Sequence, residues 1–251
     1  MGTTLTGATA VVTGGSSGIG LATARLFAEE GARVAIVGRD ETRLRHAAEH
    51  IGSGSRWFTA DLAGEAGARS LVGQLRDAGL NQLDVLFANV GASNAPELFA
   101  TTEAGFDAVI DINLKSVYFT VTACFELLDD GASVILSSSV GFHRGFNSDP
   151  LYSAAKAGVR ALGRGFAAQP QFLERRIRVN TLSFGSVATP MTGADEPEFE
   201  RAVRDWATTN VPMARVAEAR EAAGPALFLA GPASSYLTGS EICADGGLAQ
   251  L

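Results

Sequence analysis

Apolar residues fall along this chain in two alternating rhythms. Short runs at 8–13 (ATAVVT), 33–38 (RVAIVG), 56–61 (RWFTAD), 84–89 (DVLFAN), 132–137 (ASVILS), 177–183 (IRVNTLS) and 241–245 (EICAD) read as strands. Several lack polar–apolar alternation, as expected of parallel strands covered on both faces. Between them, apolar positions recur at helical spacing near 18–30, 41–50, 65–78, 103–128, 152–168 and 220–230. This order predicts one domain over 1–251. It is α/β and doubly wound, with a seven-stranded parallel sheet flanked by helices on both faces. The least regular stretch, 186–212, mixes Pro with acids and predicts a mobile flap beside a site.

Composition narrows the partners. Hydrophobic residues make up 46% and charged residues 19%, enough for a substantial core and too apolar for a disordered chain. The net charge of −7 argues against a nucleic-acid surface. No apolar run reads as a bilayer span, and no basic, apolar leader opens the chain, so a cytoplasmic location without membrane contact is expected. Cys124 and Cys243 fit no metal-ligand spacing and read as reduced thiols, so no metal is expected.

In doubly wound sheets, ligands bind beyond the carboxyl ends of the strands. After the first strand comes TGGSSGIG (13–20), with Gly14, Gly18 and Gly20 opening a helix. Glycines allow close backbone approach, and a helix N-terminus offers free N–H groups to a pyrophosphate. A strand–glycine turn–helix unit is the context of a dinucleotide-binding Rossmann fold. The second strand ends in Gly38 and Arg39, where NAD sites place a carboxylate. A guanidinium there suits a 2′-phosphate and favours NADP(H), with NAD(H) as the alternative. Asp40 reads as a helix cap, and Ser17 supplies no second cation.

At 151–156, LYSAAK sets Tyr152 and Lys156 one helical turn apart. An ammonium near a phenol favours the phenolate and eases proton exchange. Together with ADL (60–62), ANVG (88–91), DIN (111–113), SSV (138–140), IRVN (177–180) and TGSEICADGG (238–247), the chain resembles the short-chain dehydrogenase/reductase superfamily along essentially its whole length. The resemblance implies a catalytic set of Asn113, Ser139, Tyr152 and Lys156. A spacing of thirteen residues to the tyrosine selects Ser139; Ser138 competes if the following loop carries an insertion. Cofactor contacts are implied for Gly14, Ser16, Ser17, Gly18, Ile19, Gly20, Arg39, Asp61, Leu62, Asn89, Gly91, Tyr152, Lys156, Gly185, Val187 and Thr189. Phe184 stands where the family usually has Pro; it does not fix φ, so a looser turn is expected.

The activity implied is hydride transfer between NADP(H) and a ketone, aldehyde or 3-oxoacyl group. An NAD-dependent alcohol or sugar dehydrogenase is the alternative, and a non-catalytic dinucleotide sensor a third reading. The partner is a small carbonyl or alcohol. The resemblance also implies a homotetramer, with the helices near 103–128 and 152–168 pairing between subunits and Val117, Val121 and Phe125 partly buried there. Pro170 should end the second of these helices early.

Overall fold

Seven strands form one sheet: β1 (Thr9–Thr13), β2 (Arg33–Gly38), β3 (Arg56–Thr59), β4 (Leu83–Ala88), β5 (Leu128–Ser139), β6 (Arg178–Phe184) and β7 (Glu241–Ala244). All neighbours are parallel, in the order β3-β2-β1-β4-β5-β6-β7. This computed structural model describes residues 4–52, 54–93, 98–144, 149–193 and 196–251. Around the sheet lie α1 (Gly18–Glu29), α2 (Glu41–Ile51), α3 (Glu65–Asp77), α4 (Glu103–Ile110), α5 (Ser116–Cys124), α6 (Pro150–Ala167), α7 (Pro170–Glu174), α8 (Pro197–Asn210) and α9 (Ala219–Ala230).

The continuous apolar runs have their reason in the two faces. Successive strand residues point to opposite sides. Val11, Val37, Leu86 and Val134 pack with α3, α5 and α6, while their neighbours Val12, Ile36, Phe87 and Ile135 pack with α1, α2 and α9. Both faces are dry, so polar alternation would bury unpaired groups.

Three sequence expectations change. The 186–212 stretch is not an irregular flap throughout. It holds a short 3₁₀ turn, Pro190–Thr192, and the fourteen-residue α8. Pro197 sits in the first turn of α8, where its missing N–H has no intrahelical partner to lose. Val117 and Val121 face this chain's own core and are not available to a second subunit. Finally, Glu103–Leu127 is one helical run with the length and apolarity of a bilayer span, a feature the reading of apolar runs missed. Its Val117, Val121 and Cys124 are packed against the sheet, which accounts for that apolarity. Pro170 acts as expected: α6 stops at Ala167, and the proline opens α7.

The helical run is interrupted by a π-turn, Asp111–Lys115, centred on the fully buried Asn113. Widening the turn frees main-chain groups for side-chain partners. It is the first element of the site.

Candidate active site

Strand order reverses between β1 and β4, and a cleft of about 690 Å³ opens at their carboxyl ends. The β1 turn is built for close approach. Gly14 and Gly18 adopt φ of +66° and +52°, which side-chain-bearing residues rarely adopt. A Cβ on Gly20 would lie 2.2 Å from the Gly14 carbonyl oxygen, so only glycine lets α1 start this close to β1. Ser17 caps α1 by position, yet its side chain accepts no capping bond, leaving the helix N-terminus without that internal partner. Across the cleft, Thr13 Oγ1 accepts from the N–H groups of Asn89 (2.9 Å) and Val90 (3.2 Å), locking the two strand ends together. Free N–H groups, a dipole end and a cradle with no side-chain bulk suit a pyrophosphate.

Ser16, Ser17, Ile19, Arg39, Leu62, Asn89 and Gly91 line this cleft, as do Gly185, Val187 and Thr189 on the opposite wall. Gly18, Gly20 and Asp61 do not. Gly18 packs beside Thr189 and Gly20 supports the turn. Asp61 is solvent-exposed and accepts from the N–H of Ala63 at 3.2 Å, closing its own turn; β3 ends before it, at Thr59. Phe184, where a looser turn was expected, stands at the end of β6. That residue is buried as the last of β6, and Gly185 N–H donates to Ala244 O at 3.0 Å.

One contributor was missed. Arg43, in the first turn of α2, lines the cleft with Arg39. Asp40 accepts from the Arg43 backbone N–H at 3.0 Å as the α2 cap, which fixes Arg43 in the first turn beyond the strand end. The signal in sequence was the cap itself: with Asp40 as N-cap, Arg43 falls one turn from Arg39 on the same rim.

Deeper in the cleft are Ser139, Tyr152 and Lys156. Ser138 and Ser139 diverge because consecutive strand residues point apart. Ser138 is buried, and its Oγ donates to the Lys156 carbonyl at 2.8 Å. Ser139 Oγ accepts from Gly141 N–H at 3.1 Å and shares a side-chain hydrogen bond with Tyr152. Asp149 caps α6 and so fixes the phase in which Tyr152 and Lys156 meet the cleft.

Lys156 is buried, with Nζ donating to Ser137 O at 3.1 Å and lying 5.6 Å from the Tyr152 ring centroid. Burial pulls its ammonium down to about 8. The Tyr152 phenol is pushed up to about 12 by burial; the Ser139 bond lowers it, and the Asp149 charge raises it. Desolvation dominates this phenol, and Lys156 is not among the groups that lower it, contrary to the phenolate-favouring effect expected. Tyr152 is neutral at ordinary pH, with a proton to give. Asn113 lies behind this group. Its Nδ2 donates to Ala92 O (2.8 Å) and Val109 O (3.0 Å), and its Oδ1 accepts from Ala92 N–H (3.1 Å). Asn113 Oδ1 and Lys156 Nζ would both touch a Gly91 side chain, at 3.0 and 3.1 Å from its Cβ, so they flank one small space.

A family model described as enoyl-(acyl carrier protein) reductase matches residues 14–249. The chain is 37% identical to the oxidoreductase asL5 of Sarocladium schorii, covering 98% of each chain. It is 35% identical to the 3-oxoacyl-[acyl-carrier-protein] reductase FabG of Chlamydia muridarum, covering 99% of this chain and 100% of the relative. Among solved structures, the Pseudomonas aeruginosa RhlG/NADP active-site complex superposes with a TM-score of 0.90 at 31% identity, covering 99% of this chain and 100% of that one.

Proposed function

The chain belongs to the short-chain dehydrogenase/reductase family, and on that footing we propose that it is an NADP(H)-dependent reductase of ketones, aldehydes or 3-oxoacyl groups. The observation that carries this reading is a neutral, half-buried phenol, hydrogen-bonded to Ser139 and backed by Lys156, inside a cleft with a glycine cradle. FabG reduces 3-oxoacyl groups by its name, and RhlG is described with NADP, which supports the same choice.

Bound NADPH would supply the hydride. The α1 N-terminus and the glycine turn would hold its pyrophosphate, and Arg39 and Arg43 would hold its 2′-phosphate. As negative charge grows on the substrate oxygen, Tyr152 Oη gives up its proton to it, while Ser139 Oγ hydrogen-bonds the same atom. The Lys156 ammonium stabilises the phenolate left behind and binds the nicotinamide ribose. Asn113, facing Lys156 across the space beside Gly91, holds a water through which the proton is replaced. Alcohol oxidation uses the same groups in reverse. The NAD-dependent dehydrogenase reading is disfavoured by two guanidinium groups at the rim where a ribose-binding carboxylate would stand.

The partner besides a small carbonyl is a second copy of this chain. An apolar groove of about 710 Å³ runs between α5 and α6, lined by Tyr118, Phe125, Phe166 and Phe172. The exposed Tyr118 and half-buried Phe125 of this groove, in place of Val117 and Val121, are the surface by which we expect a homotetramer to form, while Phe166 and Phe172 belong to this chain's own core.

Tyr152→Phe tests the catalytic assignment. Turnover of a carbonyl panel, followed at the nicotinamide absorbance band, should fall by about 10²–10⁴-fold with NADPH affinity unchanged, because only the proton donor is lost. Near-wild-type turnover would remove Tyr152 from the mechanism. Binding of the dinucleotide without turnover by the wild-type protein would favour the sensor.

A further inference from the structure

Cys243 and His143 are a hundred residues apart, and no spacing rule connects them. The fold does. Glu241 and Cys243 are two residues apart on β7 and so project from the same side of the strand. β7 is the edge of the sheet, paired only with β6. The turn that follows β5 brings His143 against it. A ring nitrogen of His143, a carboxylate oxygen of Glu241 and the Cys243 sulfur all lie within 4.8 Å of one another.

The carboxylate between them is held from behind. Arg160 Nε donates to Glu241 Oε2 at 2.9 Å, and Arg160 also donates to the Gly239 carbonyl at 3.2 Å. Oε1 meets His143 Nε2 at 3.0 Å and accepts from Ser183 Oγ at 2.5 Å. A ligating carboxylate fixed by an outer hydrogen bond is a recurrent feature of metal sites. His143 is exposed and Cys243 half-buried, so an ion can reach the cluster from solvent.

We propose that His143, Glu241 and Cys243 form a binding site for a transition-metal ion of the zinc class, with water as the fourth ligand. The donor set decides the class. Imidazole nitrogen and thiolate sulfur suit Zn²⁺ or Co²⁺ and not Mg²⁺ or Ca²⁺, which take oxygen. Metal–ligand bonds of about 2.0–2.3 Å in a tetrahedron put donor atoms roughly 3.3–3.6 Å apart. His143 and Glu241, at 3.0 Å, are near that separation already; the Cys243 sulfur lies within 4.8 Å of both, and side-chain rotation of His143 and Cys243 would close the remainder. On binding, the Cys243 thiol releases its proton to solvent and its sulfur bonds the ion. Thiolate and carboxylate offset the two charges of the metal, and the Arg160 guanidinium paired with Glu241 leaves the assembled site with one net positive charge. The ion joins the edge strand to the turn that begins at Ser139, but its binding requires no hydride transfer. The site therefore stands or falls independently of the proposed activity.

The test is a Co²⁺ titration of the full-length, reduced protein. The expected result is a thiolate-to-cobalt absorption in the near ultraviolet that saturates at one ion per chain and is bleached by Zn²⁺. Cys243→Ser and His143→Ala should each abolish it, although buried Cys124 remains in both. In thermal melts, Zn²⁺ should raise the midpoint of the wild type and leave both variants unshifted. Absence of the band at one equivalent, or its persistence in either variant, overturns the proposal. Should Cys243→Ser fail to fold, the exposed His143→Ala decides between the same two outcomes.

Discussion

Arg39→Asp should shift the proposed cofactor preference from NADP(H) toward NAD(H). Arg39 and Arg43 are both exposed on the cleft rim, and neither forms an ion pair among the described residues, so both are free to meet a 2′-phosphate. The neighbouring carboxylate, Asp40, caps α2 through the Arg43 N–H. A charge-assisted hydrogen bond contributes about 1.5–3 kcal/mol, or roughly ten- to a hundredfold in affinity. Exposure and screening at physiological salt put each arginine toward the lower end. Arg43→Ala should therefore weaken NADPH about tenfold and leave NADH nearly unchanged. Arg39→Asp should weaken NADPH more, since a carboxylate now repels the phosphate, and should strengthen NADH by accepting from the ribose 2′-hydroxyl. Fluorescence titration of both cofactors against wild type and both variants, at one fixed salt concentration, reads these ratios directly. A wild type that prefers NADH, or variants with an unchanged NADPH/NADH ratio, would refute the reasoning.

Other outcomes follow from single positions. Gly20→Ala should abolish dinucleotide binding and lower the melting temperature, because its Cβ would sit 2.2 Å from a backbone oxygen that cannot rotate away; unimpaired titration would contradict the cradle. The folded Lys156 pKa of about 8 lies below the ordinary lysine value of 10.5. The unfolded chain thus binds more protons between those values, and stability from this group rises with pH across that window. Tyr152, raised to about 12 from 10.0, acts oppositely above pH 10. Denaturant unfolding of cofactor-free protein should show wild type gaining on Lys156→Met from about pH 8 to pH 10; a constant gap would mean that Lys156 is not desolvated. Light scattering should report a tetramer that Tyr118→Glu, at an exposed position of the groove, disrupts, and a monomeric wild type would end the assembly proposal.

Much of the fold was legible because burial on both faces leaves unbroken apolar strands, and the doubly wound topology brings every strand's carboxyl end to one cleft. That is why Gly14 and Arg39 could be placed from residue type and order, while Asn89, Ser139 and Gly185 came from the family resemblance. What failed had local physical causes. Pro197 read as a breaker but serves as a helix starter. The π-turn at Asp111–Lys115 adds a residue to one turn and shifts the helical phase beyond it. The placement of Val117 and Val121 between subunits came from the family resemblance; they follow the buried Asn113 at helical spacing and lie in this chain's own core.

The choice between Ser138 and Ser139 shows the limit more sharply. The two are chemically identical neighbours at the end of one strand, and only the pleat distinguishes them. It turns Ser138 onto the Lys156 carbonyl and Ser139 onto Tyr152. The same limit hid Arg43 and the His143–Glu241–Cys243 cluster. Arg43 depends on where α2 starts, which Asp40 sets through one capping bond. The cluster depends on β7 closing the sheet beside β6, so that a turn after β5 and a strand a hundred residues later share one edge. Residues at strand ends announce their site because the topology assigns it. Groups that meet across elements acquire a shared chemistry only when register and helix phase have been fixed, and it is there that this chain holds its least expected ligands.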